Sequence, residues 1–88
     1  MRLKSGLKIE EIDGRYITIG GENSDFNGMI AMNETGKFIA ELLYSEISKE
    51  EIVEKICDEY EVGKTRAGED LERFLKILSD ADLIDYEN

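Results

Sequence analysis

The sequence predicts an α+β fold, because segments typical of strands come first and segments typical of helices follow. Asp13-Gly14, between two β-rich segments, indicates a two-residue hairpin whose turn requires positive φ angles. Ser48 followed by Glu51 is the pattern of a capping box at the start of a helix. These signals predict one domain over residues 1–88, with an N-terminal three-stranded antiparallel sheet followed by three helices, arranged as a winged helix-turn-helix.

Three strands are predicted before residue 33. The first lies in residues 7–12, and the second covers residues 15–19, which are rich in β-branched and aromatic side chains. A polar loop at residues 20–25 separates the second strand from the third, which is expected over about residues 26–32. Side chains alternate along a strand, so the even-numbered residues of the third strand share one face and the odd-numbered residues the other.

Three helices follow the strands. Asn33 and Ser48 are the predicted N-caps of the first and second helices. Gly63 is predicted to end the second helix in the left-handed conformation, and the third helix is expected to begin near Thr65. Residues 85–88, at the C-terminal end, are predicted to fray.

The apolar face of the third helix is unusually wide. It spans roughly 160° of the helix circumference at ~100° per residue, whereas an ordinary surface helix needs a stripe of about 100°. We expect Leu71, Leu75 and Leu78 to face the core. Phe74 and Ile77 are expected to form the wall of a groove, although a broad core contact against the sheet would explain the same pattern.

Composition excludes several classes of protein. The net charge of −10 disfavours nucleic-acid binding, and the absence of histidine removes the commonest general base and metal ligand. A single cysteine, Cys57, cannot form an internal disulfide and fits a reducing cytoplasm. No apolar run reaches the length of a membrane span. We therefore expect a cytoplasmic protein without catalytic residues, a metal, a cofactor or a membrane contact.

Short motifs occur along the chain in a characteristic order. They are Asp13-Gly14, the strand from Gly28 to Met32, Asn33-Glu34-Thr35-Gly36, Ile39 with Leu42-Leu43, Ser48 with Glu50-Glu51-Ile52-Val53, Tyr60-Glu61-Val62, and Asp70-Leu71 with Phe74-Leu75, Leu78 and Leu83-Ile84. In this order and spacing they resemble the PqqD-like family, also called RiPP recognition elements. The chain departs from the family at Ala40, where tryptophan is frequent, and at Asp82, where glycine is usual.

The resemblance implies a peptide chaperone and not an enzyme. Proteins of this family bind the leader segment of a ribosomally made, post-translationally modified precursor peptide (a RiPP). They present it to a modifying enzyme, often a radical SAM enzyme, and pyrroloquinoline quinone biosynthesis is the founding case. In the family the leader adds as an antiparallel strand beside the third strand, in a cleft that the third helix closes.

The third strand of this chain suits that role. Residues 29–32 are apolar and carry none of the charges that usually protect an exposed sheet edge. Burial of these residues in the core is the alternative interpretation. The residues predicted to bind the peptide come from this strand and from the third helix. They are Met29, Ile30, Ala31, Met32, Arg66, Asp70, Arg73, Phe74 and Ile77.

Charged residues of the third helix allow two interpretations. Arg66 and Arg73 would attract acidic residues of the leader, with Asp70 at the margin of the groove. Alternatively, Arg73 pairs with Glu69 and Lys76 with Glu72 on a solvated helix face, since both pairs have i,i+4 spacing.

Other functions are compatible with the same sequence. The same arrangement could be a winged-helix DNA-binding regulator that reads the major groove with its third helix. It could also be a module that binds another extended peptide. The open apolar edge further predicts that two copies can pair as a homodimer.

Overall fold

The computed structural model describes residues 1–21 and 25–86. Its elements are β1 (Arg2–Leu3), β2 (Leu7–Ile12), β3 (Arg15–Gly20), β4 (Met29–Met32), α1 (Glu34–Leu42), α2 (Lys49–Tyr60), α3 (Lys64–Asp80) and β5 (Ile84–Asp85). The predicted α+β fold, with three helices after an antiparallel sheet, is confirmed. The predicted polar loop lies partly outside the described residues.

The three-stranded sheet has the order β2-β3-β4. Asp13 and Gly14 have φ angles of 52° and 77°, so the predicted hairpin turn is present and places Ile12 opposite Arg15. Strand β4 runs antiparallel to β3 and begins at Met29, three residues later than expected. The expected strand was too long because the register with β3 extends only from residue 29 to residue 32.

A second, two-stranded sheet joins the ends of the described chain. Arg2 pairs with Asp85 and Leu3 with Ile84, and the Lys4 N–H donates to the Leu83 carbonyl at 2.9 Å. The prediction that residues 85–88 fray is therefore wrong for Asp85, which lies in β5. Residues 87–88 lie outside the described part of the chain.

The ends of the helices confirm some of the predicted caps and contradict one. Asn33 accepts a hydrogen bond from the Gly36 N–H at 2.8 Å, and Ser48 and Glu51 form both bonds of the capping box. The predicted role of Gly63 is wrong, because its φ is −73° and it is the N-cap of α3. Glu61 ends α2 instead, with a φ of 53°, because the left-handed residue is needed directly after the last helical residue.

Helix α1 packs against one face of the three-stranded sheet, and α2 and α3 pack against α1 and against each other. The residues on that face of the sheet are Leu7, Ile9, Thr18, Ile30 and Met32. The core between these layers contains fully buried side chains from all three helices. The largest of them are Ile39, Leu43, Ile52, Ile56, Leu71 and Leu78. Burial of Leu71, Leu75 and Leu78 confirms the predicted core face of α3.

Candidate functional site

A groove of about 280 Å³ lies where the end of β4, the start of α1 and one side of α3 meet. It is smaller than most small-molecule pockets, which measure roughly 300–1,000 Å³. Eleven residues line it: Ala31, Met32, Asn33, Thr35, Gly36, Ile39, Arg66, Asp70, Arg73, Phe74 and Ile77. A larger depression of about 610 Å³ lies beside β1 and β5, but no predicted site residue lines it.

The groove brings together most of the residues that the sequence predicted as a site. The predicted residues that line it are Ala31, Met32, Arg66, Asp70, Arg73, Phe74 and Ile77. Met29 and Ile30 lie on β4 but outside the groove lining; Met29 is exposed, whereas Ile30 packs against the core. Phe74 is more buried than expected for a groove wall, with 7% of its surface exposed, and Ile77 is 45% exposed.

Residues at the start of α1 complete the wall, and sequence reasoning did not assign them to the site. They are Asn33, Thr35, Gly36 and Ile39. Gly36 is a glycine within a helix, where it costs about 1 kcal/mol relative to alanine. That unfavourable choice is the sequence signal that could have identified the position.

The two edges of the three-stranded sheet differ. At the β2 edge, the Ile9 N–H donates a hydrogen bond to the Tyr44 hydroxyl at 3.1 Å, and the strand carries Lys8, Glu10 and Glu11. Both features discourage pairing with another strand. The β4 edge has the sequence Met-Ile-Ala-Met without charge, and β3 is its only partner strand in the part of the chain that the structure describes. Strand β4 is therefore the open edge.

The hairpin register determines which backbone groups face that edge. Ile12 and Arg15 flank a two-residue turn, and in such a hairpin these residues exchange backbone hydrogen bonds. Bonding alternates along the unbroken register, so every second residue of an edge strand faces away from β3. Ile9 belongs to the outward set of β2, in agreement with its bond to Tyr44. On β4 the outward set is Met29 and Ala31, whose N–H and C=O groups point to the open edge.

Charge at the groove is concentrated around Asp70. Its carboxylate lies 3.5 Å from Arg66 Nε and 3.4 Å from the Arg73 guanidinium. The Asp70 side chain is 21% exposed, whereas both arginine side chains are more than 70% exposed. Two positive charges and one negative charge leave the rim of the groove with a local surplus of positive charge.

The predicted i,i+4 pairs of α3 are wrong. Arg73 pairs with Asp70 and not with Glu69, because the i,i+3 carboxylate lies within reach. Lys76 pairs with Asp80 at 3.2 Å. Glu72 instead forms an ion pair at 3.0 Å with Lys49, which is the first residue of α2.

The described residues contain neither a membrane-spanning helix nor a metal-binding cluster. None of their helices combines the length and apolar character needed to cross a membrane. Among the same residues, no group of three or more His, Cys, Asp or Glu side chains is placed to hold a metal ion.

The fold, the open edge and the groove define a small α+β domain in which one unpaired sheet edge lies beside a groove. The family model for coenzyme PQQ synthesis protein D (PqqD) matches residues 11–84, which is most of the chain. The chain therefore belongs to the PqqD family. No curated protein sequence matches it significantly.

Two solved structures have the same fold. One is TbiB1 in complex with the TbiA(beta) leader peptide, with a TM-score of 0.77, 25% identity, and coverage of 100% of this chain and 99% of that chain. The other is lasso peptide synthetase B1 complexed with the leader peptide, with a TM-score of 0.71, 21% identity and 93% of each chain covered. At that identity the second structure demonstrates similarity of fold alone.

Proposed function

We propose that this protein binds the leader segment of a ribosomally made precursor peptide and presents the precursor to a modifying enzyme. The observation that carries the proposal is the open β4 edge above a groove walled by α3. Membership of the PqqD family supports it, as does similarity to TbiB1, whose solved structure contains a leader peptide. The protein itself would have no catalytic role.

Binding would occur by strand addition. An antiparallel leader strand would exchange hydrogen bonds with the N–H and C=O groups of Met29 and Ala31. At about 1 kcal/mol for each net hydrogen bond, four such bonds alone would give only about millimolar affinity. Side-chain contacts in the groove must therefore supply any affinity beyond that level.

The groove offers two kinds of side-chain contact. Leader side chains on the helix-facing side of the added strand would enter the groove beside Met32, Phe74 and Ile77. The surplus positive charge of Arg66 and Arg73 at the rim would attract acidic leader residues and speed their encounter with the edge.

For the enzyme partner, we propose a class of enzyme and not an individual protein. The leader-binding role requires an enzyme that modifies the remainder of the precursor, and a radical SAM enzyme is our first candidate because the family is named for PQQ synthesis. The product would be pyrroloquinoline quinone or another modified peptide. Co-purification of the protein with a radical SAM enzyme, dependent on the leader, would test this part.

A second copy is a further candidate occupant of the same edge. We extend the proposal to a homodimer of the free protein, in which the β4 strands of two copies pair. Leader and second copy would need the same N–H and C=O groups, so leader should dissociate the dimer. Sedimentation velocity with and without leader measures this, and a monomer at every concentration would remove the dimer from the proposal.

The overall charge favours a peptide over DNA as ligand. Lys64, Arg66, Arg73 and Lys76 are the basic residues that α3 offers to a duplex, and acidic residues lie between them. The net charge of −10 repels a duplex, whose phosphates would meet much more of the molecule than a short leader strand would. A winged-helix regulator is therefore the less favoured function.

The test is an NMR titration of labelled protein with the leader of a precursor encoded beside its gene. We expect shifts concentrated in β4 and along the groove side of α3, and new protection of the Met29 and Ala31 amides from solvent exchange. A DNA duplex serves as the control ligand. Shifts confined to the β2 edge, or a response to DNA alone, would overturn the proposal.

A further inference from the structure

Gly36 lies in the first turn of α1 and is buried. Its φ angle is not positive, because the positive-φ glycines of the described residues are Gly6 and Gly14. The backbone at this position therefore does not require glycine, and alanine would favour the helix. Something other than local conformation must account for the missing side chain.

The surroundings of Gly36 supply a reason. A Cβ atom built at this position would lie 3.1 Å from Cε1 of Phe74, 3.3 Å from Cβ of Met32 and 3.3 Å from Oδ1 of Asn33, the N-cap of α1. Distances this short require the neighbours to shift by a few tenths of an ångström. All three neighbours line the groove, as does Gly36 itself. A side chain here would therefore fill part of the groove or displace the Phe74 ring.

The groove around Gly36 is apolar at its base and charged at its rim. Met32 and Phe74 supply the apolar surface at the base, and Ile39 lies next to this surface but is itself fully buried. The charged groups of Arg66 and Arg73 are at the exposed margin. An apolar side chain from the ligand would bury its surface at the base without removing these charges from water.

We propose that Gly36 sets the depth of the groove and thereby selects a large apolar anchor in the bound peptide, at the helix-facing position beside Met32. The inference rests on the proposed function, since it assumes that a strand adds to β4. Side chains alternate along such a strand, so the anchor shares the helix-facing side of the sheet with Met32. Leucine, isoleucine or phenylalanine would fit this description, whereas alanine would leave the base unfilled.

The test uses displayed libraries of random peptides, each about ten residues long to match the length of one strand. The proteins are the unmodified chain, Gly36→Ala and Gly68→Ala. Gly68 is the matched control because it also lies within a helix, and a Cβ there would meet nothing within 4 Å. Thermal unfolding is measured first, and a cooperative transition in each variant shows that it is folded. Selected peptides are then synthesised with phenylalanine, leucine or alanine at the consensus position.

We expect the unmodified chain and Gly68→Ala to prefer the large anchor over alanine by about tenfold or more, the effect typical of groups that fill an apolar pocket. Gly36→Ala should lose most of that preference. Adding Phe74→Leu to Gly36→Ala should restore it, because the smaller side chain returns space to the groove.

The outcomes separate this inference from the proposed function. An unchanged preference in Gly36→Ala, or an equal loss of affinity for all three anchors, would overturn the role of Gly36 and leave strand addition intact. Failure of the unmodified chain to select any peptide that contacts β4 would overturn both.

Discussion

The hydroxyl group of Thr18 donates a hydrogen bond to the sulfur of Met32, with 3.3 Å between Oγ1 and Sδ. Thr18 lies on the central strand β3 and is fully buried, whereas Met32 lies on the open edge strand and lines the groove. The bond therefore connects the sheet interior to the base of the groove. It also gives the buried hydroxyl of Thr18 a hydrogen-bond partner. Without one, burial of this hydroxyl would carry a desolvation cost.

Two substitutions at Thr18 separate packing from hydrogen bonding. We expect Thr18→Val to change the free energy of unfolding by less than about 1 kcal/mol, because a thioether is a weak acceptor. Thr18→Ser keeps the hydroxyl but removes a buried methyl group, which should cost about 1 kcal/mol. Urea unfolding measures both. A loss in Thr18→Val well above that in Thr18→Ser would contradict this ranking.

The arginines at the rim should affect the rate of peptide binding. We expect the double variant Arg66→Gln and Arg73→Gln to associate several-fold more slowly with an acidic leader at low salt, because rim charge mainly sets the encounter rate. Raising the ionic strength to about 1 M shortens the screening length to about 3 Å and should abolish the difference. Stopped-flow fluorescence with a labelled leader measures the rates.

A control with the same change in net charge tests the location of the effect. Lys49→Gln with Lys76→Gln removes two positive charges that do not line the groove. This control should change the association rate less than the arginine variant does. Equal slowing by both double variants would mean that net charge, and not the groove, determines the rate.

Tyr44 should protect the β2 edge without taking part in peptide binding. Tyr44→Phe removes the hydroxyl that accepts the Ile9 N–H. We expect faster hydrogen exchange at the Ile9 amide and a loss of about 1 kcal/mol in the free energy of unfolding. Affinity for the leader should remain unchanged, since binding is assigned to β4. Reduced affinity in this variant would indicate that the peptide binds at the β2 edge, which would contradict the assignment of binding to β4.

Tyr60 should influence stability at alkaline pH. Burial, followed by the carboxylates of Glu34, Glu59 and Glu41, raises the pKa of Tyr60 above its usual value of 10.0. The folded state thus favours the neutral phenol, and its contribution to stability is complete below pH 10. As the pH rises above 10, the unfolded chain releases this proton first, so stability falls.

The variant Tyr60→Phe isolates that effect. It keeps an aromatic ring next to Phe38, whose ring centroid lies 5.5 Å from that of Tyr60. Urea unfolding between about pH 8 and about pH 11 should show a smaller alkaline loss of stability in the variant than in the unmodified chain. An identical pH dependence in the two proteins would disprove the contribution of Tyr60.

The elements predicted correctly are those with strong local signals. The Asp13-Gly14 turn and the capping box of Ser48 with Glu51 each depend on residues close in sequence. Strands β1 and β5 contain two residues each, too few to show a periodic pattern, and they pair across nearly the whole chain. Their pairing depends on tertiary structure, which explains why the sequence predicted a frayed end instead.

The site was predicted from the resemblance to the PqqD-like family, with which the helix pattern of α3 and the absence of charge in β4 agree. These observations identified Phe74 and Ile77 as groove residues but not the opposite wall formed by α1. Which side of α1 faces the groove depends on how the helix packs, and this is not encoded in its short apolar stripe. The pairing of Asp70 with both arginines was missed because several carboxylates lie within one turn of each arginine.

The difference between the two sheet edges limits how large an assembly the chain can form by strand pairing. A sheet that can accept a partner strand at both of its edges can grow indefinitely into fibres. Here the Tyr44 hydroxyl and the charges of β2 disfavour pairing on one side, so the proposed pairing at β4 would end after a single addition. Such a chain would keep one apolar strand accessible without open-ended polymerisation.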